Sequence, residues 1–157
     1  MFLLATACLG LMLNAGCGPN IPERDRNNDA EAENGDAEPI EPVWSQVSSI
    51  LTSSCALTGC HGPGAMFPSL AGEDAHDSIV KVFSDQVPSL TLVEPGNPDS
   101  SYLYLKGIGL HAEACEDAGI PEDQCGTQMP PPTYPQLGQE EVSALRAWIS
   151  EGASRDG

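Results

Sequence analysis

The stretch Cys55-Ala-Leu-Thr-Gly-Cys60-His61-Gly62 places two thiols and an imidazole within seven residues. The second cysteine is followed directly by the histidine. Covalent attachment of haem c uses this order, because each thiol adds to one vinyl group of the porphyrin and the adjacent histidine becomes the proximal iron ligand. The usual pattern has two residues between the cysteines, whereas four separate Cys55 from Cys60. The stretch therefore predicts a haem c site that other segments must complete.

The length and composition indicate one small, loop-rich domain with a tail. The chain has 157 residues, of which 16 are glycine and 14 proline, and aromatic residues make up only 5%. A haem would give such a chain a large apolar surface around which a small core could close. The formal net charge of -17 disfavours nucleic acid as a partner, and an anionic membrane surface would repel the protein.

The first 17 residues read as a signal peptide. Met1 to Gly16 is uncharged and rich in leucine, and it is too short to span a membrane as a mature helix. Leu13-Asn14-Ala15-Gly16-Cys17 resembles a bacterial lipobox, which makes Cys17 the candidate lipidation site. The alternative is an ordinary cleaved signal with no lipid. In both cases the mature chain is exported, which permits disulfides.

Residues 18–42 read as an acidic, disordered linker. They carry eight acidic side chains and almost no hydrophobic ones, so they cannot bury enough surface to offset the entropy of ordering. The linker would hold the domain formed by residues 43–157 away from a membrane.

Helical periodicity appears at both ends of that domain. Trp44, Val47, Ile50 and Leu51 predict a helix that runs to about Ser53 and leads into Cys55. Val142, Leu145, Trp148 and Ile149 form one stripe of a helix over Gln139 to Glu151, with Gly152 as its stop. We expect these two helices to pack together.

Two further short helices are predicted between them. The first covers Ala75 to Phe83, with His76 exposed near its start. The second begins after Asn97, which would act as N-cap, with Pro98 at the first helical position. On that helix we expect Leu103 to face the core.

The segment 107–127 has no clear period but contains Cys115 and Cys125. In an exported protein these cysteines most simply form a disulfide that closes a small loop. The alternative is a metal site that combines His111 with both thiols, although the spacing matches no common zinc pattern.

Gln128-Met129-Pro130-Pro131-Pro132 is the candidate for the second iron ligand. The prolines restrict the backbone and lower the cost of holding the thioether in one place. Alone, the segment reads as a surface polyproline stretch, but together with Cys55, Cys60 and His61 it indicates that Met129 binds iron. Met66 is the competing methionine, only a few residues after His61.

The order of these parts resembles the class I cytochrome c fold, and it is especially similar to the cytochrome c-like domains of exported myxobacterial and planctomycete proteins. The shared features are a helix leading into Cys-Cys-His, a Pro-Gly-Asn-Pro-x-x-Ser-Tyr-Leu helix, a Met-Pro loop and a final Trp-Ile-x-x-Gly-Ala helix, over Val43 to about Ala153. The resemblance implies an all-α fold of short helices and long loops around one haem c. It also implies that Cys55 and Cys60 hold the haem, His61 is its proximal ligand and Met129 is its distal ligand.

Two classes of function stay open. The first is an electron carrier rather than an enzyme, in which His61 and Met129 ligate an iron that cycles between ferric and ferrous states and exchanges electrons with redox partner proteins. It would lie on the periplasmic side of a bacterial membrane, the outer membrane included, as a lipoprotein, and it could serve a larger oxidoreductase as an accessory. The second is a haem-free exported binding domain, in which Cys55 and Cys60 also form a disulfide.

Overall fold

The computed structural model describes residues 43–156, and this part of the chain is all-α. Its helices are α1 (Trp44–Ser54), α2 (Tyr102–Ile108), α3 (His111–Asp117), α4 (Glu122–Cys125) and α5 (Gln139–Ser150), with a short 3-10 helix at Pro98–Ser100 before α2. Between 43 and 156 the only β-type pairings are isolated bridges. None of the helices in this range is long and apolar enough to cross a membrane.

The predicted packing of the first and last helices is confirmed. Helices α1 and α5 lie against each other, and the Trp44 and Trp148 rings meet at 5.3 Å between centroids. Their apolar stripes bury Val47 and Leu51 on α1 and Leu145 on α5. Gly152 follows α5 with φ of 103°, a conformation that glycine adopts without strain, so the predicted helix stop is also confirmed.

The helix predicted over Ala75 to Phe83 is wrong. These residues form consecutive turns, and the chain then pairs with a later segment: the Lys81 amide donates to the Val93 carbonyl at 2.9 Å, and the Leu92 amide donates to the Val82 carbonyl at 2.7 Å. Val80 and Val82 are β-branched residues, which favour extended backbone over helix. Phe83, expected on the apolar face, is 65% exposed.

The helix predicted after Asn97 is divided into the 3-10 turn and α2. Asn97 makes no side-chain cap, and the hydroxyl of Ser101 instead donates to the Asn97 carbonyl at 2.8 Å. Tyr102 and Tyr104 are buried in α2, at 2% and 5% exposure, as are Leu105 and Lys106, whereas Leu103 is only partly buried. Leu103 nevertheless packs against the core, as expected, although both tyrosines are more deeply buried than it is.

Candidate functional site

The Cys55–His61 segment begins at the end of α1 and folds back on itself. The Cys55 amide donates to the Leu51 carbonyl at 2.9 Å and closes the helix, and the His61 amide donates to the Cys55 carbonyl at 3.2 Å. A turn between them is closed by the Cys60 amide on the Leu57 carbonyl at 2.8 Å, with Gly59 at φ of 81°. These bonds bring Cys55, Cys60 and His61 to one side of the loop.

The ring of His61 is oriented by a backbone carbonyl. Its Nδ1 lies 3.0 Å from the Pro68 carbonyl oxygen. A carbonyl can only accept, so Nδ1 carries the proton and the other ring nitrogen, Nε2, keeps its lone pair in the neutral imidazole. A ring held in this way presents Nε2 as a ligand, which is the arrangement that metal-binding histidines commonly have.

A cavity of about 120 Å³ joins the predicted haem residues. Cys55, Cys60, His61 and Met129 all line it, together with the following set: Ser54, Leu57, Met66, Pro130, Pro131 and Tyr134. A second cavity of about 60 Å³ shares Cys55, His61 and Met129 with the first and extends toward α2 and α5. The structure thus brings the four side chains predicted for the haem to the walls of the same space.

Met129 lies in the loop after α4 and is held beside this space by a hydrogen bond to α2. Its amide donates to the Lys106 carbonyl at 3.1 Å, and the proline segment that follows is tied by Gln136, whose side-chain amide donates to the carbonyls of Pro130 and Pro131 at 3.0 and 3.1 Å. Met66 lines the larger cavity as well, but it is 56% exposed, whereas Met129 is partly buried and lines both cavities.

Within residues 43–156, Cys55 and Cys60 are free thiols. Burial first, and then the nearby Glu141 carboxylate and Cys60, raise the pKa of the Cys55 thiol to about 11. Cys55 is therefore a protonated, unreactive thiol at neutral pH in the haem-free protein.

Lys106 is a component of the site that the sequence did not indicate. It is 8% exposed and lines the smaller cavity beside Cys55, His61 and Met129. Its Nζ donates to the Thr127 carbonyl at 2.8 Å and lies 5.6 Å from the centroid of the Tyr102 ring. Burial lowers the pKa of Lys106 to about 8. In the sequence, Lys106 stands out only as a polar residue in an otherwise apolar helix. That pattern does not predict a hydrogen bond to the Thr127 carbonyl, 21 residues further along the chain.

The Cys115 and Cys125 sulfurs form a disulfide that connects α3 and α4. Both residues are 2% exposed, and the Tyr102 hydroxyl donates to the Cys125 carbonyl at 3.2 Å. Because both thiols are used in this bond, they cannot also bind a metal with His111. Among the described residues there is no group of three or more histidine, cysteine, aspartate or glutamate side chains that could hold a metal ion.

His111 Nδ1 is buried without a hydrogen-bond partner in this part of the chain. Burial first, and then the charge of Lys106, lowers the pKa of the His111 ring.

His76 is not the exposed residue that the sequence suggested. Its side chain is 12% exposed, its Nε2 lies 2.9 Å from the Ala153 carbonyl, and its ring packs edge-on against Trp44 at 5.0 Å. His76 thus connects the loop after Leu70 to the C-terminal segment, and these contacts account for its burial. His76 lines neither cavity of the candidate site.

The signal peptide, the lipidation site at Cys17 and the linker 18–42 lie outside the described residues. A scan of known protein families, a search of curated proteins and a search of solved structures each found no match to this chain.

Proposed function

We propose that this chain is an exported electron-transfer protein that binds one haem c. One observation carries the proposal: two cysteines with free thiols, a histidine with an uncommitted Nε2 and a methionine line a single cavity. The donor set suits haem c, because the thiols could hold the porphyrin through its vinyl groups and the imidazole and the thioether could both ligate its iron. When bound, the haem would supply a one-electron ferric–ferrous couple.

The residues have separate tasks in this proposal. Each of Cys55 and Cys60 would add its sulfur to one vinyl carbon while its proton goes to the neighbouring carbon, so two thioether bonds form without net oxidation. His61 would be the proximal ligand through Nε2, and the Pro68 carbonyl would hold its ring in place. Met129 would be the distal ligand.

Filling both axial positions from the protein favours electron transfer over catalysis. With His61 and Met129 bound, no open iron position remains for a substrate. His/Met ligation also favours a relatively high reduction potential, because a thioether stabilises ferrous iron. We therefore propose a carrier that serves redox partner proteins and could be an accessory to a larger oxidoreductase.

The uncharged walls of the larger cavity also support this proposal. Residues 43–72 and 124–139, which supply most of the lining, contain no Asp, Glu, Lys or Arg, whereas fifteen acidic and four basic residues occupy the rest of 43–156. An apolar environment suits a porphyrin. The cavity is smaller than the roughly 300–1,000 Å³ of ordinary ligand pockets, so we expect its walls to separate when haem binds.

The proposal includes the class I cytochrome c-like fold and the lipoprotein location. The short helices, the all-α character and the Met-Pro loop next to the Cys-His segment support the first. The lipobox-like sequence before Cys17 supports the second. The alternative, a haem-free binding domain with a Cys55–Cys60 disulfide, predicts a colourless protein when it is produced with a cytochrome c maturation system.

Substitution of the two methionines tests the ligand assignment. Met129→Ala should still fold and keep its haem, since Cys55, Cys60 and His61 are unchanged. It should lose the thioether-to-iron charge-transfer band, bind added imidazole or cyanide readily, and have a reduction potential lower by on the order of 0.1 V, because axial ligation is one of the main controls of haem potential. Absorption spectra and redox titration measure each effect.

Met66→Ala is the matched control, because Met66 lines the same cavity. It should leave the spectrum and the potential unchanged. If the two variants exchange these results, Met66 is the ligand. If neither changes the spectrum, the distal ligand is not a methionine.

A further inference from the structure

Among the lysine and arginine side chains of residues 43–156, Lys106 is the one that is buried. It is 8% exposed, whereas Lys81 is exposed and Arg146 and Arg155 keep 50% and 43% of their side-chain surface. Lysines are rarely buried unless they are paired. None of the ion pairs formed within residues 43–156 involves Lys106. Its buried position therefore needs another explanation.

Lys106 instead makes two hydrogen bonds to the segment that carries Met129. Its Nζ donates to the Thr127 carbonyl at 2.8 Å, and its own carbonyl accepts the Met129 amide at 3.1 Å. The side chain and the main chain of one residue thus hold this segment at two points, two residues apart. A hydrogen bond from a charged donor is stronger than a neutral one, so the Nζ contact is the larger of the two constraints.

The residues beside these points, 126–128, bury little surface of their own. Gly126 and Thr127 are exposed and Gln128 is only partly buried. Gly126 has φ of 72°, and a Cβ there would lie 2.6 Å from Gln86 Nε2 and 3.1 Å from Lys106 Nζ. The backbone therefore passes closely over the lysine head group. Upstream, the disulfide fixes Cys125.

We infer that Lys106 is a positioning residue for Met129, which directs the methionine sulfur into the cavity by holding the Thr127 carbonyl. The inference rests on the proposed function, because the value of a fixed Met129 is that its thioether binds iron. A lysine that only filled space in the core would affect global stability. A positioning lysine would affect the local order of residues 126–129 and the strength of the methionine–iron bond.

Lys106→Met tests this directly, because it keeps an unbranched stem and removes the Nζ donor. Lys81→Met is the matched control, since it removes the same charge from an exposed site. In the haem-loaded protein, Lys106→Met should keep covalent haem while its affinity for added imidazole rises about tenfold over that of Lys81→Met, which is about the effect of one charge-assisted hydrogen bond. The thioether-to-iron band should weaken in parallel.

Amide hydrogen exchange in the haem-free protein separates this inference from the proposed function. Protection of the Met129 amide, which donates to the Lys106 carbonyl, should fall about tenfold in Lys106→Met, while amides of α1 and α5 change no more than in Lys81→Met. If the wild type binds no haem, the proposed function fails and the exchange result still decides the positioning role. Equal protection in both variants, or equal imidazole affinity, would overturn the inference. If Lys106→Met does not fold, Lys106→Gln is measured by the same two comparisons with the same expected directions.

Discussion

The side chains of the candidate site differ in how each is fixed. His61 is held through Nδ1 by the Pro68 carbonyl, Met129 through its amide by Lys106, and Cys55 by its position at the end of α1. A ligand that is held before the haem arrives loses little conformational entropy on binding. The His61 ring and the Met129 backbone are therefore held in place individually, even though the cavity between them must widen for a haem.

The burial of Cys55 has a measurable consequence in the haem-free protein. Because its pKa is raised to about 11, its thiolate fraction at pH 8 is small. The rate of its alkylation by iodoacetamide should rise about tenfold per pH unit from pH 8 until it levels off near pH 11. Mass spectrometry of the Cys55 peptide measures the rate. The same reaction in denaturant should level off near pH 8.5, and a native profile that also levels off there would contradict the buried thiol.

The sequence indicated the candidate site residues that lie close together along the chain. Cys55, Cys60 and His61 were proposed from the order of thiols and histidine along the chain, and the structure brings them to one cavity with Met129. Lys106 could not be identified, because its role depends on the position of the Thr127 carbonyl, which only the tertiary structure supplies.

Helix α2 is the element that connects the core to the candidate site. Its buried face places Tyr102 beside the disulfide, its partly buried Leu103 lines the smaller cavity, and Lys106 near its end holds the Met129 segment. Gly109 ends α2 with φ of 82°, and its amide donates to the Lys106 carbonyl at 3.4 Å. A substitution that shifts α2 should therefore also shift the cavity wall that α2 forms.

At this scale the sequence predicted the long amphipathic helices and the helical segment after Asn97, and it missed α3 and α4. Helices α1 and α5 have clear apolar stripes, so their ends were correct within a residue. Helices α3 and α4 were missed because they have seven and four residues, too few to show a period. The false helix at 75–83 had a helix-like spacing of apolar residues, but pairing with Val93 determined its structure.

The disulfide between α3 and α4 should contribute substantially to stability. It joins residues separated by 10 positions, for which constraint of the unfolded chain is worth about 3 kcal/mol. Cys115→Ala combined with Cys125→Ala should lower the free energy of unfolding by about this amount, measured by urea denaturation.

Glu113→Ala is the control for that measurement, because Glu113 is an exposed residue of α3. It should change the free energy of unfolding by less than about 0.5 kcal/mol. A double cysteine variant as stable as this control would show that the disulfide adds nothing to the fold.

The charges of the whole molecule are distributed unevenly. The segments that line most of the candidate site are uncharged, while the remainder of 43–156 and the linker 18–42 are strongly acidic. A net charge of -17 keeps copies apart in solution and repels polyanions. The residues that line the larger cavity therefore contribute no charge to its walls.

The proposed membrane anchor is a property of the whole chain that depends on Cys17. Cys17→Ser should move the protein from the membrane fraction to the soluble fraction, because the lipid on this cysteine is the anchor we propose. Cell fractionation followed by immunodetection measures the distribution, and Cys8→Ser is the control that should leave it unchanged. A Cys17→Ser protein that stays with membranes would contradict the lipoprotein assignment.

The most direct test of the central claim is the intact mass and haem stain of the denatured protein, produced with a cytochrome c maturation system. The account predicts that the mature chain carries the mass of one added haem, that the haem stain survives denaturing electrophoresis, and that Cys55→Ala combined with Cys60→Ala removes both signals. A colourless protein with the mass of the mature polypeptide alone and a Cys55–Cys60 disulfide would contradict it.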